Sequence, residues 1–375
     1  MTTAKMSERI TKDGPTLRAQ RNVPAPADFA TRLLAWFDHS GRNNLPWQHP
    51  RTPYRVWLSE IMLQQTQVAT AAPYFERFVA ALPDLPSLSA ADPDQVLALW
   101  SGLGYYARAR NLHATARRCV EVHGGELPRD IEALVALPGI GRSTAAAILS
   151  QAWGDRHAIL DGNVKRVLTR YLGVAGWPGS STVEKALWQH AEAHLQSRAV
   201  DERMADYTQA QMDLGAILCS RNNPACALCP LQDDCVARIE GRVAELPTPK
   251  PGKTIPQRHA RVLWLEDTEG RILMQRRPPA GIWASLWTLP QAEDETAAAA
   301  WFARHVEGDL GAADRLAPIA HAFSHYKLEL QPLRLRGIVL RGAVGDNADL
   351  RWVARPQLAT LGIPAPIRRL LDGGA

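Results

Sequence analysis

The sequence predicts two domains of unlike class, an all-α domain over residues 25–237 and a small α+β domain over residues 258–375. Two changes of pattern carry this prediction. Apolar residues recur every three or four positions through the first stretch, whereas past residue 258 they fall into short alternating runs. Between them, residues 238–257 lose both periods and fill with Pro, Lys, Thr and Gly, the composition of an exposed linker partly stiffened by its prolines. Residues 1–24 hold Lys, Arg, Ser, Thr and Pro with little apolar content and read as a disordered tail.

With 46% hydrophobic and 22% charged residues the composition is that of an ordinary soluble protein. The net charge of +5 fits a polyanionic partner without demanding one. No apolar run reaches membrane-spanning length and the N-terminus carries no signal-peptide core, so a cytoplasmic protein is expected.

In chain order, 28–38 reads as an amphipathic helix and 40–53 as a loop. The next helix, 56–68, sets Leu58, Ile61, Met62 and Val68 on its apolar stripe and places Glu60, Gln64 and Gln67 together on another face. A glutamate on a helix is commonly a solvated face residue. Here its amide neighbours would also suit hydrogen bonding to a base edge. Helices follow over 74–81 and 93–100. Gly102-Leu103-Gly104-Tyr105-Tyr106 then interrupts them, a flexible loop with an aliphatic wedge and aromatics that suits either insertion into a base stack or simple core packing. The helix over 105–123 presents Arg108, Arg110, Arg117 and Arg118 on a basic face suited to phosphates, with Cys119 buried beneath.

Asp130 should N-cap a short helix through Ile131, Leu134 and Val135, which Pro138-Gly139-Ile140-Gly141 ends. An alanine-rich helix from Ser143 to Gln151 follows. Glycines at such a joint let a phosphate reach bare N–H groups at a helix N-terminus, which is how a helix–hairpin–helix grips a nucleic-acid backbone. An ordinary αα-hairpin would look the same. Asp161, just before Gly162-Asn163, is either the N-cap of the next helix or a carboxylate held beyond that grip. Helices over 183–196 and 202–218 lead to Cys219-x6-Cys226-x2-Cys229-x5-Cys235. Four thiols in so short a loop favour a metal centre over disulfides; zinc and a [4Fe–4S] cluster both remain open on spacing alone.

In the second domain, 259–265 and 271–276 flank Glu266-Asp267-Thr268-Glu269-Gly270 as a hairpin. A helix is expected over 293–306. Leu328 and Leu330 alternate, and Leu333 and Leu335 take the opposite phase, which predicts a bulge at Gln331-Pro332. A strand over 351–354 and a helix over 366–371 close the chain.

Taken together, Trp57–Val68 (WLSEIMLQQTQV), LPGIGRSTA, LDGNVKRVL and the cysteine loop resemble the MutY family of adenine DNA glycosylases, within the helix–hairpin–helix superfamily that also holds endonuclease III. The resemblance runs from about Asp28 to the C-terminus. It implies a multidomain fold: an all-α helix–hairpin–helix glycosylase domain with an iron–sulfur loop, then an α+β Nudix-like domain. It implies a [4Fe–4S] cluster on Cys219, Cys226, Cys229 and Cys235, organising a DNA-binding loop without reacting itself. The family's catalytic acid falls on Glu60 and its essential aspartate on Asp161. Gln65, Leu103 and Tyr105 fall on residues that enter the duplex beside the lesion, Gly139 and Gly141 on the hairpin, and Asn163 beside the aspartate. Ser143 stands where bifunctional relatives carry a lysine nucleophile, which implies base excision without strong strand cleavage.

The stretch LPQAEDETAAAAWFARHVE lacks the glutamate array with which Nudix hydrolases hold Mg²⁺, so the second domain should bind rather than hydrolyse. Phe323-Ser324-His325 matches the family's 8-oxoguanine recognition motif. The expected partner is duplex DNA with A:8-oxoguanine or A:G mispairs, bound by a monomer without membrane contact. Two alternatives are an endonuclease III-like pyrimidine glycosylase and lyase, and a non-catalytic iron–sulfur DNA-binding protein.

Overall fold

The structure, a computed structural model, describes residues 26–252, 255–323, 325–341 and 349–373. The tail over 1–24 and Ser324 lie outside the described residues.

The first domain is helical: α1 Pro26–Ser40, α2 Pro53–Leu63, α3 Val68–Ala81, α4 Leu85–Ala90, α5 Pro93–Leu99, α6 Ala107–Val122, α7 Ile131–Val135, α8 Arg142–Trp153, α9 Gly162–Leu172, α10 Ser181–His194, α11 Met204–Asp213 and α12 Val236–Ile239. Thr52 caps α2, its hydroxyl accepting from Arg55 N–H, and Pro53 supplies a helical φ in the first turn. The helix buries Trp57, Leu58, Ile61 and Met62 almost completely. Truncating such a tryptophan to alanine would cost about 3–5 kcal/mol.

The apolar residues form two cores. One gathers α2 to α6 and the hairpin; the other gathers α1 with α9, α10 and α11. Between them runs α8, giving Ala145, Ile148 and Leu149 to the first core and Ala146 and Ala147 to the second. Glu60 on α2 and Asp161 at the head of α9 therefore approach from opposite cores with α8 between.

The helix expected over 56–68 is shorter than its period predicts. It stops at Leu63 because Gln64 leaves helical geometry (ψ 111°) and Gln65 takes a positive φ of 57°. Gln67 is instead the N-cap of α3, so Glu60, Gln64 and Gln67 do not share one helical face. The segment assigned to a linker starts inside α12, and Leu246 within it is buried, its carbonyl taking a bond from Arg170 Nε.

The second domain holds β1 Gln257–Leu265, β2 Ile272–Arg276, β3 Trp287–Thr288, β4 Gln291–Ala292, α13 Glu295–His305, β5 Val306–Glu307, β6 Asp314–Arg315, β7 Ile319–Ala322, β8 Lys327–Leu335, β9 Val339–Leu340, β10 Leu350–Val353 and α14 Ala365–Gly373. Its main sheet runs β4-β1-β8-β6, with β7 also on β8. The turn at Asp267–Gly270 forms, yet β1 and β2 do not continue as a hairpin beyond a single bridge. Val262 to Leu265 are buried on both faces, as parallel strands are, and β1 pairs in parallel with β8 while β2 joins β10 and β3.

Nor is there a bulge at Gln331-Pro332. The register is one-to-one from Gln257–Lys327 to Leu265–Leu335. The phase change arises because Leu328 and Leu330 enter the core shared with the helical domain, whereas Leu333 and Leu335 pack under α13.

The second domain docks on the Gly102 loop and α5. Tyr106 Oη and Ser101 Oγ both donate to the Ile363 carbonyl (3.0 and 3.1 Å), and Arg110 Nη1 donates to that of Ala284 (2.8 Å). Asp94 accepts from Arg276 and Trp287 Nε1.

Candidate active site

Asp161 caps α9: Oδ1 accepts from Val164 N–H at 2.8 Å and Oδ2 from Asn163 Nδ2 at 3.2 Å. The N-cap is thus formed, and because the residue is not fully buried its carboxylate is also accessible to a ligand. Burial pushes its carboxyl above the usual carboxylate range, against the pull of Val164, Asn163 and the Arg166 guanidinium. Ser143 lies one link away. Its Oγ accepts from Leu160 N–H at 2.9 Å, tying the start of α8 to the residue before Asp161.

Glu60 faces this group from α2. Burial pushes its carboxyl up to about 7, the Gln151 amide draws it down, and the negative charge of Asp161 raises it further. Gln151 itself is buried on α8 and donates from Nε2 to Glu60 Oε1 at 2.8 Å. A carboxyl raised by burial and by a nearby charge, facing a second one held by a backbone N–H and an amide, is an arrangement that can separate an acid from a base.

The hairpin beside them forms as expected. Asp130 caps α7, accepting from Ala133 N–H, and Gly139 turns the chain at φ 78°. A side chain at Gly139 would strike Asn111 of α6, its Cβ only 2.9 Å from that of Asn111. Thr115 Oγ1, a turn further along α6, donates to the Pro138 carbonyl at 2.9 Å. Gly141 is the N-cap of α8 and offers no side chain to its first N–H groups, leaving them open to an anion.

The residues read as lesion contacts divide. Gln65 is exposed, and so is Tyr105, at 52%, with a positive φ of 48°. Leu103, read as a wedge, is instead buried in the first core at 6%. Phe323 and His325 lie on the turn between β7 and β8, not on a strand surface, and Phe323 N–H bonds the Tyr326 carbonyl across it. Phe323 packs among His321 (4.6 Å between centroids), Tyr326 (4.7 Å) and Trp283 (5.7 Å). Sequence reasoning missed Trp283 and His321; the aromatic spacing in PPAGIWASLW was the available signal.

Two of the four arginines assigned to a phosphate-facing surface are otherwise engaged. Arg108 is buried and donates to backbone carbonyls, and Arg110 reaches the second domain. Arg117 and Arg118 remain exposed.

Cys219, Cys226, Cys229 and Cys235 are unbridged and line one small void with Arg170, Leu218 and Pro224. Burial raises the Cys229 and Cys235 thiols, and the charges of Cys219 and Cys226 add to it. Among the described residues, no three His, Cys, Asp or Glu side chains converge closely enough to hold a single ion. Arg166 and Arg170 of α9 join this loop to the carboxylate side. Arg166 bonds the Cys219 carbonyl and Asn163 Oδ1, and Arg170 Nη1 lies 3.4 Å from Cys219 Sγ. No helix of the described residues is long and apolar enough to cross a membrane.

Comparison with known proteins bears on the fold and the family. Residues 58–193 match the HhH-GPD superfamily of base excision DNA repair proteins, and residues 261–373 match the NUDIX domain. A thermostable thymine-DNA glycosylase of known structure, 27% identical, superposes with a TM-score of 0.52 over 58% of this chain and 97% of its own. The adenine DNA glycosylase of Buchnera aphidicola subsp. Acyrthosiphon pisum (strain APS) is 35% identical over 344 residues, spanning 92% of this chain and 97% of that protein. The adenine DNA glycosylase of Homo sapiens is 32% identical, spanning 93% of this chain and 74% of the human protein. A helix–hairpin–helix domain that sets two carboxylates at one site, followed by a Nudix domain, places the chain in the adenine DNA glycosylase family.

Proposed function

We propose that the protein removes adenine mispaired with 8-oxoguanine, or with guanine, from duplex DNA by hydrolysing the N-glycosidic bond. One observation carries this: Glu60, held by the buried Gln151 amide at 2.8 Å, faces the charge of Asp161, which is fixed by Val164 N–H and Asn163, and burial raises the Glu60 carboxyl. Glu60 then donates its proton to adenine N7, so that a neutral base departs. Asp161, fixed by Val164 N–H and Asn163, stabilises the oxocarbenium-like sugar until water adds at C1′ and gives its proton to the ionised Glu60. General acid help of this kind contributes typically about 10²–10⁴-fold. The bare N-terminus of α8 takes a phosphate of the backbone. Gln65 and Tyr105 meet the base pair, and Phe323 and His325, flanking Ser324, read the opposing 8-oxoguanine.

The four cysteines would hold a [4Fe–4S] cluster. A zinc ion would draw each thiolate to about 2.3 Å; these thiols share a void but do not close on a single point. Held by these four residues, such a cluster would tie the 219–235 loop together.

The reading as a lyase for damaged pyrimidines is disfavoured by Ser143, a hydroxyl bonded to Leu160 N–H where an amine nucleophile would be needed. Adenine release from an A:8-oxoguanine duplex under single-turnover conditions tests the proposal. Release of free adenine without borohydride-trapped protein supports it; no release, or trapping on abasic DNA, overturns it.

A further inference from the structure

Arg108 sits in the first turn of α6 and is only 7% exposed. Its Nη1 donates to the carbonyls of Ile61 (3.1 Å), Met62 (2.7 Å) and Gln64 (2.6 Å). Its Nη2 donates to those of Leu103 (3.3 Å) and Gly104 (3.1 Å). One guanidinium thus takes up carbonyls at the end of α2 and also closes the Gly102 loop, joining two segments that are distant in sequence.

Each segment continues from an acceptor of Arg108 into an exposed residue of left-handed backbone. Gln65 (φ 57°) follows Gln64, and Tyr105 (φ 48°) follows Gly104. Non-glycine residues persist in that region only where their surroundings hold them. The guanidinium also lies 5.5 Å from the Tyr105 ring and 5.3 Å from that of Trp100. Lysine has neither the planar fork nor enough donors to replace it.

We propose that Arg108 is a positioning residue that fixes Gln65 and Tyr105 relative to each other, so that the two act on the duplex as one unit when the base is extruded. This rests on the function proposed above, in which both residues meet the mispair.

The test is a double-mutant cycle on the full chain with its cysteine loop intact. Base extrusion is followed by rapid mixing with a duplex carrying fluorescent 2-aminopurine opposite 8-oxoguanine. With Arg108 in place, the effects of Gln65→Ala and Tyr105→Ala on the extrusion rate should depart from multiplicative by about threefold or more. In Arg108→Lys they should multiply. Unchanged coupling in the lysine background, with or without a lower thermal midpoint, overturns the proposal. If Arg108→Lys does not fold, the cycle with arginine still decides, since multiplicative effects there also overturn it. Wild-type protein that extrudes no base sinks the functional reading and this inference with it; normal wild-type extrusion with unchanged coupling sinks this inference alone.

Discussion

Gln151 Nε2 donates to Glu60 Oε1 at 2.8 Å, joining α8 to α2 at the proposed proton donor. The bond engages one carboxyl oxygen and holds the pKa lower than burial alone would. The single-turnover rate should therefore be level below about pH 7 and fall above it as Glu60 ionises. Gln151→Leu removes the donor, so the falling limb should move to higher pH. A limb that stays in place or moves down, read from pH–rate profiles of the two proteins, contradicts this assignment.

Glu60→Gln should lose at least about 10²-fold in rate while still binding duplex. It should also be more stable than wild type at alkaline pH. Below an ordinary carboxyl value of 4.5 both folded and unfolded states hold the proton. From there to about 7 only the unfolded chain gives it up, so folding loses stability as pH rises, and the loss is complete above 7. The total is on the order of 3 kcal/mol. Thermal melts should show Glu60→Gln several degrees above wild type at pH 8 and level with it at pH 4.5.

Asp161 has two duties that two variants separate. Asparagine caps a helix about as well as aspartate and carries no buried charge, so Asp161→Asn should melt no lower than wild type while adenine release collapses. Asp161→Ala should lose both, with about 1 kcal/mol of stability gone in denaturant titration. Activity retained in Asp161→Asn would leave the residue as a cap and nothing more.

Phe323 stands at the centre of the Trp283, His321 and Tyr326 rings. Phe323→Ala should weaken the preference for 8-oxoguanine over guanine opposite adenine by about tenfold, the worth of one aromatic contact. Rates on the two duplexes give the ratio directly. Equal losses on both would mean the ring serves packing alone.

Purified protein should be brown, with visible absorption that Cys226→Ser diminishes. That variant should bind duplex more weakly by fluorescence anisotropy, because the 219–235 loop loses its anchor. A colourless wild type containing zinc by elemental analysis would refute the cluster.

Much of the site was legible because its signals are local. The aspartate before a helix, the Pro-Gly-Ile-Gly turn and the cysteine spacing each lie within a few residues, and Asp130 and Asp161 cap the helices they precede. What failed was non-local. Nothing near Arg108 in sequence shows that its acceptors are the carbonyls of residues 61 to 64, so its charge read as a surface feature. The same distance hid the end of α2 at Leu63. In the second domain β1 and β2 are near in sequence and read as a hairpin, but the partner of β1 is β8, seventy residues on. The apparent bulge in β8 came from treating as one buried face what are two faces under different cores.

Helix α6 begins just after Tyr105, carries Arg108 in its first turn and, through Asn111 and Thr115, supports the hairpin further along. From Arg108 to Thr115 is about 10 Å of rigid rod. On the function proposed above, the residue that meets the base pair and the turn that takes a phosphate hang from one strut, so neither can shift along the duplex without the other.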